Sequence, residues 1–444
     1  MSAMLAETRP NEATTVLETP RPEGKRIVIV GGGFAGLAAA HALRDADADV
    51  VLIDRRNHHI FQPLLYQVAT AVLSSAEIAA PIRQLEARQP NLSVLLAEVT
   101  GVNLADRTIE ASAPGVGVRK IAFDYLIVAT GMRPSYFGHD EFARYAPGLK
   151  SLNDAETIRA KILGAFEIAA TTEDVAERAR QMTFVLVGAG PSGVELAASL
   201  ALMVKVTLRH NFRRIDPAKA TIILLDAGPR VLPSFAESLS RRAAKHLAKL
   251  GVKIQTGVKV EKVDEQGVIA GGTRIPSATV LWTAGVAASP LPKLLGGKTD
   301  RAGRALVDPF LRVVDAPGVF VVGDAASLLQ KNGHPVPGVA QGAIQEGRYV
   351  GRLIAHELTG RKVKHPFNYF DKGNMAVVGK NYAVLERGRL RTSGFLTWLV
   401  WAFVHILSLP QHQNRMRVQR QWLWSYFTGQ RSSRLIPETN EPGH

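Results

Sequence analysis

The stretch that decides the fold reads RIVIVGGGFAG and runs from Arg26 to Gly36. Its first part, Arg26–Val30, is rich in β-branched residues and predicts a strand. In the turn that follows, Gly31, Gly33 and Gly36 have the spacing of a dinucleotide fingerprint. The first glycine permits a tight turn, the second lets the backbone approach a pyrophosphate, and the third lets the next helix pack on the strand. Because the N-terminus of that helix faces the phosphates, we expect a dinucleotide here.

An acidic residue completes this first unit of sequence. Asp54 ends the next predicted strand, Val50–Ile53. A carboxylate in this place accepts hydrogen bonds from the ribose of an adenosine. Strand, glycines, helix and acid therefore occur in the order that a Rossmann-like domain requires.

The same pattern recurs farther along the chain. Gly188, Gly190 and Gly193 follow another predicted strand and begin another helix. The matching acid, Asp226, lies farther from its glycines than usual, so residues 203–219 must extend the helix or add a loop. The charge of Asp226 suits a ribose diol and repels a 2′-phosphate, which favours NADH over NADPH.

Two such units predict an α/β fold with parallel sheets: two Rossmann-like dinucleotide-binding domains, with the nicotinamide domain inserted in the flavin domain. A strand at 278–285 should close the second unit, a strand at 319–324 should end in an acid, and a helix is expected at 340–358. The predicted boundaries are a disordered lead-in at 1–24, a flavin domain at 25–150 and 286–386, a nicotinamide domain at 151–285, and a C-terminal amphipathic, membrane-docking helical tail at 387–444.

Composition narrows the possible functions. The 444 residues include no cysteine, which excludes disulfide scaffolds, thiolate metal sites and cysteine nucleophiles, and we expect no metal. The 54 basic residues outnumber the 39 acidic ones and give a net charge of +15. Such an excess suits an anionic partner, either nucleic acid, acidic protein or acidic lipid.

The distribution of this charge points to lipid. Between Arg387 and Pro437 there is no acidic residue, whereas eight arginines and four of the five tryptophans fall there. The apolar run Phe395–Leu409 is too short to span a membrane comfortably, and arginines with aromatic residues follow it. These features are typical of a helix lying among anionic lipid headgroups. A buried helical hairpin with a solvated basic face is the alternative, and nucleic-acid binding is disfavoured because no nucleic-acid motif accompanies the charge.

The rest of the chain favours peripheral attachment. The first 24 residues lack the apolar core of a signal peptide, and no apolar run reaches the length of a spanning helix. We therefore expect an intracellular protein that associates with the membrane from the cytoplasmic side.

Four motifs resemble those of the flavoproteins with two dinucleotide-binding domains. They are Gly31–Gly36, Ala129–Gly131, Thr283–Gly285 and Val322–Ala325. The resemblance implies a bound FAD, with Asp324 at its ribityl chain or phosphate.

More closely, residues 25–436 resemble the type II NADH dehydrogenases. The motifs that carry this resemblance are Asp54–His59, Phe61–Ala69, Gly190–Glu195, Phe212–Pro217, Ala340–Gly347 and the tail. Phe61–Ala69 is the most specific of them, because that family uses this motif near flavin and quinone. The resemblance implies FAD contacts at Gly31, Gly32, Gly33, Phe34, Ala35, Gly36, Asp54, Arg55, Val99, Ala129, Thr130, Gly131, Asp324, Gln341 and Gly342. It implies NADH contacts at Gly188, Gly190, Pro191, Ser192, Gly193, Asp226, Ala284 and Gly285.

The expected reaction is hydride transfer from NADH to non-covalently bound FAD and then two-electron reduction of a membrane quinone, without proton pumping. Gln341 and Gln345 are spaced i,i+4 on a predicted helix, so both amides lie on one face and can donate to a quinone carbonyl. Lys380 can add a positive charge there. Glu195 has three open roles: positioning nicotinamide, supplying a proton, or capping its helix.

Two other functions remain open from the sequence. The first is a soluble NADH-dependent reductase of a small electron carrier of the rubredoxin or ferredoxin type. The second is a flavoprotein that mainly binds a partner. Cysteine-dependent relatives, the disulfide reductases and sulfide:quinone reductases, are excluded because the chain has no cysteine. A homodimer is possible.

Overall fold

The computed structural model describes residues 17–18, 24–330 and 333–436. The chain forms two compact units. Among the described residues, the first unit contains 17–18, 24–57, 82–131, 288–330 and 333–369, and the second contains 58–81, 132–287 and 370–436.

The first unit is built on a parallel sheet of five strands. Their order is Val319–Val321, Tyr125–Val128, Arg26–Val30, Asp49–Asp54 and Leu92–Leu96. The residues of Arg26–Val30 are all buried, as expected for a central strand with both faces covered. A second sheet contains Leu17–Glu18, Gly117–Ala122, Thr108–Ala113 and Glu98–Asn103. The remaining short strands are Ala305–Leu306 and Ala326–Ser327, and the helical segments are Phe34–Ala42, Ile82–Leu85, Leu291–Leu295, Gly323–Ala325 and Ala340–Leu358.

Two helices of this unit approach each other closely. Gly347 and Gly351 of the helix Ala340–Leu358 face Ala35 and Ala39 of the helix Phe34–Ala42. A Cβ at Gly347 would overlap the backbone of Ala35. Small residues on both helices therefore bring the predicted flavin motifs of this unit together.

The second unit contains its own parallel sheet of four strands. Their order is Val252–Thr256, Thr221–Asp226, Thr183–Val187 and Thr279–Trp282. The other strands are His58–Ile60, Ala79–Pro81, Met132–Pro134, Val260–Asp264, Gly267–Ala270, Thr273–Pro276, Val286–Ala288, Asn374–Val377, Ala383–Arg387 and Leu390–Gly394. The helical segments are Gln62–Leu64, Leu65–Ala69, Ser75–Ile78, Asp140–Arg144, Leu152–Thr171, Val175–Gln181, Pro191–Leu202, the π-helical turn Met203–Thr207, Pro217–Lys219, Glu237–Lys249, Phe395–Ser408 and His412–Thr428.

The compact units do not coincide with the predicted domain boundaries. Residues 58–81, 132–150 and 370–386 were assigned to the flavin domain, but they pack in the second unit. The reason is long-range contact, since Gly148 forms a bridge with Trp282 and the N–H of Val377 donates to the carboxyl group of Glu195. At the other end, most of the predicted lead-in lies outside the described residues, but Leu17–Glu18 form a strand that pairs with Arg119 and Lys120.

The described part of the predicted tail, residues 387–436, belongs to the second unit. Its first part, Leu390–Gly394, is the third strand of an antiparallel sheet, and the two C-terminal helices, Phe395–Ser408 and His412–Thr428, follow directly. Asn414 is buried and donates to the carbonyl oxygens of Glu77 and Ala79, both at 3.0 Å. None of the helices in the described parts of the chain is long and apolar enough to cross a membrane.

Candidate active site

The first glycine turn, Gly31–Gly36, has the geometry of a phosphate cradle. Gly31 has a φ of +108°, which favours glycine, and a Cβ at Gly36 would overlap the carbonyl oxygen of Gly31. Gly33 is different, because no atom lies within 4 Å of the place where its Cβ would stand. This open space borders the start of the helix Phe34–Ala42, which has no acidic residue in its first turn. A pyrophosphate therefore fits there.

Asp54 is held against this turn by backbone amides. Its Oδ2 accepts from the N–H of Gly32 at 2.6 Å, and its Oδ1 accepts from the N–H of Arg56 at 2.8 Å. Each oxygen keeps a second lone pair that can accept from a ribose hydroxyl. Arg55 forms an exposed ion pair with Glu98 at 3.6 Å.

One other predicted motif borders the first glycine turn. A Cβ at Gly31 would overlap the backbone of Ala129, so the segment Ala129–Gly131 lies directly beside it. The hydroxyl of Thr130 accepts from that of Ser289 at 2.6 Å, which fixes this segment. Val99 lies half-buried in the neighbouring strand Glu98–Asn103.

The Gly323–Asp324 turn is anchored by a buried acid that the sequence analysis did not single out. The Oε2 of Glu346 accepts from the N–H of Gly323 at 2.5 Å. Burial raises the pKa of Glu346 to about 8, although this hydrogen bond opposes the shift. The signal was present in the sequence, because Glu346 shares the buried face of its helix with Ala343 and Val350.

Gln341 and Gly342 lie in the first turn of this same helix. A Cβ at Gly342 would press on the carbonyl oxygen of Pro337, and Gly338 lies next to the carboxyl group of Asp324. The glycine turn Gly31–Gly36 and the pair Gln341–Gly342 therefore lie at the starts of the helices Phe34–Ala42 and Ala340–Leu358.

The second glycine turn, Gly188–Gly193, repeats the geometry of the first. Gly188 has a φ of +106°, and a Cβ at Gly193 would overlap the carbonyl oxygen of Gly188. Gly190 faces open space, and the helix Pro191–Leu202 begins there with Pro191 and Ser192 exposed. The backbone of Ala284 lies directly beside Gly188, and Gly285 follows it with a φ of +69°.

Backbone amides hold the carboxylate of Asp226 in the same way as that of Asp54. Its two carboxylate oxygens accept from the backbone N–H groups of Ala189 and Gly228. The inserted residues between the glycines and this acid extend the helix by the π-helical turn Met203–Thr207 and then form a loop. Both outcomes that the sequence left open for the insertion therefore occur.

A cavity of about 200 Å³ lies in the second unit, where the helix Pro191–Leu202 contributes Glu195 to its lining. We call it the aromatic cavity, and the residues that define it are Tyr66, Gln67, Glu195, Lys380, Trp398, Trp401, Trp422, Tyr426 and Arg431. Trp401 stacks on Trp422 with ring centroids 5.3 Å apart, so the two C-terminal helices build one wall together. A flat apolar ring can pack against such a wall.

Glu195 brings an acidic group to this cavity instead of capping its own helix. Its Oε1 accepts from the N–H of Val377 at 3.2 Å, and the helix has no side-chain cap. Burial raises the pKa of Glu195 to about 8, against the opposing effect of that hydrogen bond. Glu195 therefore carries a proton at neutral pH and can donate it.

Lys380 lies at the exposed rim of the same cavity. Its Nζ donates to the carbonyl oxygen of Tyr426 at 2.7 Å and stands 4.2 Å from the centre of the Tyr426 ring. The structure therefore brings Lys380 and Glu195 together in the second unit. Gln341 and Gln345 belong to the first unit, and their contact with a quinone stays a prediction.

Arg431 lies in the predicted docking tail, but unlike an arginine on a lipid surface it is enclosed by the protein. Arg431 is 6% exposed and lines the aromatic cavity. Its buried place follows from Gly429, which ends the last helix with a φ of +71° and turns the chain inward. That glycine was the available signal.

The family model described as Pyridine nucleotide-disulphide oxidoreductase matches residues 25–347. The type II NADH:quinone oxidoreductase Ndh of Mycobacterium tuberculosis is 45% identical to this chain, over 94% of the chain and 91% of the relative. The chain belongs to the type II NADH:quinone oxidoreductases. NdhA of the same organism is 44% identical, over 93% of this chain and 89% of that relative. The structure of NDH2 from Plasmodium falciparum in complex with NADH has a TM-score of 0.85, at 22% identity over 92% of this chain and 99% of that one, and shows the shared fold.

These likenesses confirm the predicted family, fold class and enzyme class. They favour the type II NADH:quinone oxidoreductases over the soluble carrier reductase and over the partner-binding flavoprotein. The disulphide chemistry in the name of the broader family needs cysteine, and this chain has none.

Proposed function

We propose that this chain oxidises NADH and reduces a membrane quinone in the aromatic cavity. The observation that carries the proposal is that cavity, which joins the buried carboxyl group of Glu195 to an aromatic wall within a member of the type II NADH:quinone oxidoreductases. Aromatic rings pack on an apolar quinone ring, and a proton donor serves the oxygen that becomes basic during reduction.

The first glycine turn would hold FAD, and Asp54 would accept from its ribose. When bound, FAD supplies the ring that takes hydride from NADH and returns two electrons to the quinone. Because there is no cysteine to form a thioether, we propose non-covalent binding. Acid precipitation should leave the flavin in the supernatant, and flavin that stays in the pellet would contradict this.

The second glycine turn would hold NADH, with the carboxylate of Asp226 facing the ribose diol. Both of its oxygens are fixed by backbone amides, so the negative charge cannot turn away from a 2′-phosphate. NADH is therefore the proposed substrate in preference to NADPH.

The C-terminal helices would dock on an anionic lipid surface. Leu396, Val400, Phe403 and Leu407 follow one another at helical spacing, and each is exposed. On the last helix, Trp424 and Phe427 are exposed as well, the latter by 80%. An apolar face of this kind inserts below lipid headgroups, and the net positive charge of this region attracts anionic lipid. We propose the cytoplasmic face of the membrane.

Flotation with phosphatidylglycerol vesicles tests this docking. The double variant Leu396→Ser, Phe403→Ser should stop floating with the vesicles, because its apolar face is interrupted. The control Val314→Ser, Leu329→Ser removes comparably exposed apolar side chains from the first unit and should float as the wild type does. Deleting the whole tail is a poor test, since it also removes buried Asn414 and Arg431. A double variant that still floats would overturn this docking surface.

Stopped-flow half-reactions test the function as a whole. NADH should bleach the flavin absorbance, and a short-chain quinone should restore it. If only an oxidised electron carrier such as rubredoxin or ferredoxin restores the flavin absorbance, the protein is a soluble carrier reductase. If NADH does not bleach the flavin, a partner-binding role is favoured.

A further inference from the structure

The guanidinium of Arg431 is a buried charge in the aromatic cavity. Its Nη1 donates to the carbonyl oxygen of Thr70 at 2.6 Å, and its Nη2 donates to that of Ser199 at 2.9 Å. Among the described residues, no carboxylate lies within ion-pair distance of it. Carbonyl oxygens orient this guanidinium but do not neutralise it, so its positive charge acts on the cavity.

Tyr66 supplies one of the hydroxyl groups that line this cavity. Its oxygen accepts from the Nε2 of Gln67 at 2.9 Å, and the Oε1 of Gln67 accepts from the Nε1 of Trp422 at 2.7 Å. This chain of donors fixes the direction of each hydrogen bond, because the indole nitrogen can only donate. The phenol of Tyr66 therefore keeps its own proton to donate elsewhere.

The ionisable side chains that line the cavity are Tyr66, Glu195, Lys380, Tyr426 and Arg431. Burial raises the pKa of Tyr66 well above its usual value and Glu195 raises it further, whereas Arg431 lowers it. Burial lowers the pKa of Arg431 to about 9, which leaves it protonated at neutral pH, and Tyr66 opposes that shift. The charge of each of these two residues therefore shifts the pKa of the other.

We propose that Tyr66 donates to the quinone the one proton that the hydride does not supply, and that Arg431 is the positioning residue whose charge stabilises the resulting phenolate. This inference rests on the proposed function, because it needs a quinone in the aromatic cavity. Tyr66 lies in the motif Phe61–Ala69 but was given no role of its own there, and Arg431 belongs to none of the motifs outside the tail.

The step balances with the overall reaction, in which NADH, quinone and one proton give NAD⁺ and quinol. The hydride accounts for both electrons and for one of the two hydrogens of the quinol. For the other, the O–H bond of Tyr66 breaks as an O–H bond forms on the quinone. The phenolate then takes a proton from the carboxyl group of Glu195, and the carboxylate of Glu195 recovers one from water.

Half-reactions of single variants measure this step. Tyr66→Phe should slow quinone-driven flavin reoxidation by about 100-fold, which is within the usual contribution of a general acid, and should leave NADH-driven bleaching unchanged. Arg431→Gln should slow reoxidation by about tenfold, as expected when one neighbouring charge no longer strengthens an acid. The controls are Tyr136→Phe, which removes another buried tyrosine hydroxyl, and Arg434→Gln, which removes a neighbouring arginine, and both should keep wild-type rates.

A double-mutant cycle separates this role from a purely structural one. Because Arg431 acts through Tyr66, Arg431→Gln should cause no further slowing in the Tyr66→Phe background. Arg431→Lys keeps the charge and should restore much of the rate even if its Tm is lower. Independent slowing in both backgrounds, or a rate that follows Tm alone, would overturn the role of Arg431.

The pH profile of Tyr66→Phe keeps the inference testable even if the Arg431 variants do not fold. Wild-type reoxidation should fall as the pH rises through about 8, where Glu195 loses its proton. Tyr66→Phe should lose this dependence, because the path from Glu195 is broken. If Tyr66→Phe keeps the wild-type reoxidation rate and pH profile while Glu195→Gln is slow, the proton relay through Tyr66 is overturned but the proposed function is not. Failure of quinone to reoxidise the wild-type flavin would instead overturn the proposed function.

Discussion

The two glycine turns are nearly the same structure built twice. Gly31 and Gly188 have φ values of +108° and +106°. In both turns the third fingerprint glycine packs on the carbonyl oxygen of the first, and the second glycine faces open space. Each turn also receives a carboxylate, Asp54 or Asp226, on a backbone amide of its second residue. The proposed recognition of the two nucleotides would therefore depend on the turn and its acid.

The two helices that leave these turns are different. The position two residues after the third glycine is Ala38 in the first helix and Glu195 in the second. The first helix ends at Ala42, whereas the second is extended by the π-helical turn Met203–Thr207. This turn contacts the end of the last helix, where Thr207 donates to the carbonyl oxygen of Gly429 at 3.0 Å. The difference between the two units thus lies beyond the turn, on the helix that reaches the aromatic cavity.

The largest expected effect comes from the residues that the two turns share. Gly36→Ala should abolish flavin retention, because its Cβ overlaps the carbonyl oxygen of Gly31. Gly193→Ala should leave the protein yellow but abolish bleaching by NADH, because its Cβ overlaps the carbonyl oxygen of Gly188. Flavin content and NADH titration check both. Gly164→Ala, where a Cβ meets nothing within 4 Å, is the control, and a yellow Gly36→Ala protein would break the comparison.

The next effect concerns the residue by which the two helices differ. Glu195→Gln keeps the shape of the side chain but removes its acidic proton, so reoxidation by quinone should slow by about 100-fold. Bleaching by NADH should stay close to the wild-type rate. Slow bleaching with normal reoxidation would place Glu195 at the nicotinamide, as one reading of the sequence allowed.

A smaller effect separates the two acids. Asp226→Ala should reduce kcat/KM for NADH by about tenfold and leave that for NADPH unchanged or higher, since a repulsive charge is lost together with a hydrogen-bond acceptor. Asp54→Ala should weaken flavin retention without changing the ratio of the two kcat/KM values. An unchanged ratio in Asp226→Ala would show that its carboxylate does not face the ribose.

The smallest effect concerns Glu346, the buried acid that accepts a hydrogen bond from the N–H of Gly323 in the first unit. Its folded pKa of about 8 lies above the value of about 4.3 expected in the unfolded chain, so the folded state holds this proton more tightly. The stability that this provides is fully present below pH about 4.3 and is lost as the pH rises through about 8. Glu346→Gln should therefore gain Tm relative to the wild type as the pH rises, while still accepting from Gly323. A Tm difference that does not change with pH would contradict a neutral Glu346.

Local features of the fold were predictable from the sequence. The strand Arg26–Val30 and the helix Ala340–Leu358 lie where the pattern placed them, because hydrophobic period and glycine spacing act over neighbouring residues. The geometry of both glycine turns was predictable for the same reason. The division into units was not, because it depends on pairings such as Gly148 with Trp282.

The cavity residues were predictable only in part. Glu195 was singled out by its place in a motif, whereas Arg431 looked like one more basic residue of an acid-free tail. Its burial depends on carbonyl oxygens at Thr70 and Ser199, which are far away in the sequence. Composition reveals the charge of a segment but not which charge folds back into the protein.

Photolabelling with an azido-quinone tests most directly the claim that quinone is reduced in the aromatic cavity. We predict that light attaches the label to the segments 65–72 and 398–431, which hold Tyr66, Trp401 and Trp422 of the cavity wall. Excess unlabelled quinone should remove this labelling. Labelling that is confined to other segments, or that excess quinone does not compete away, would contradict the account.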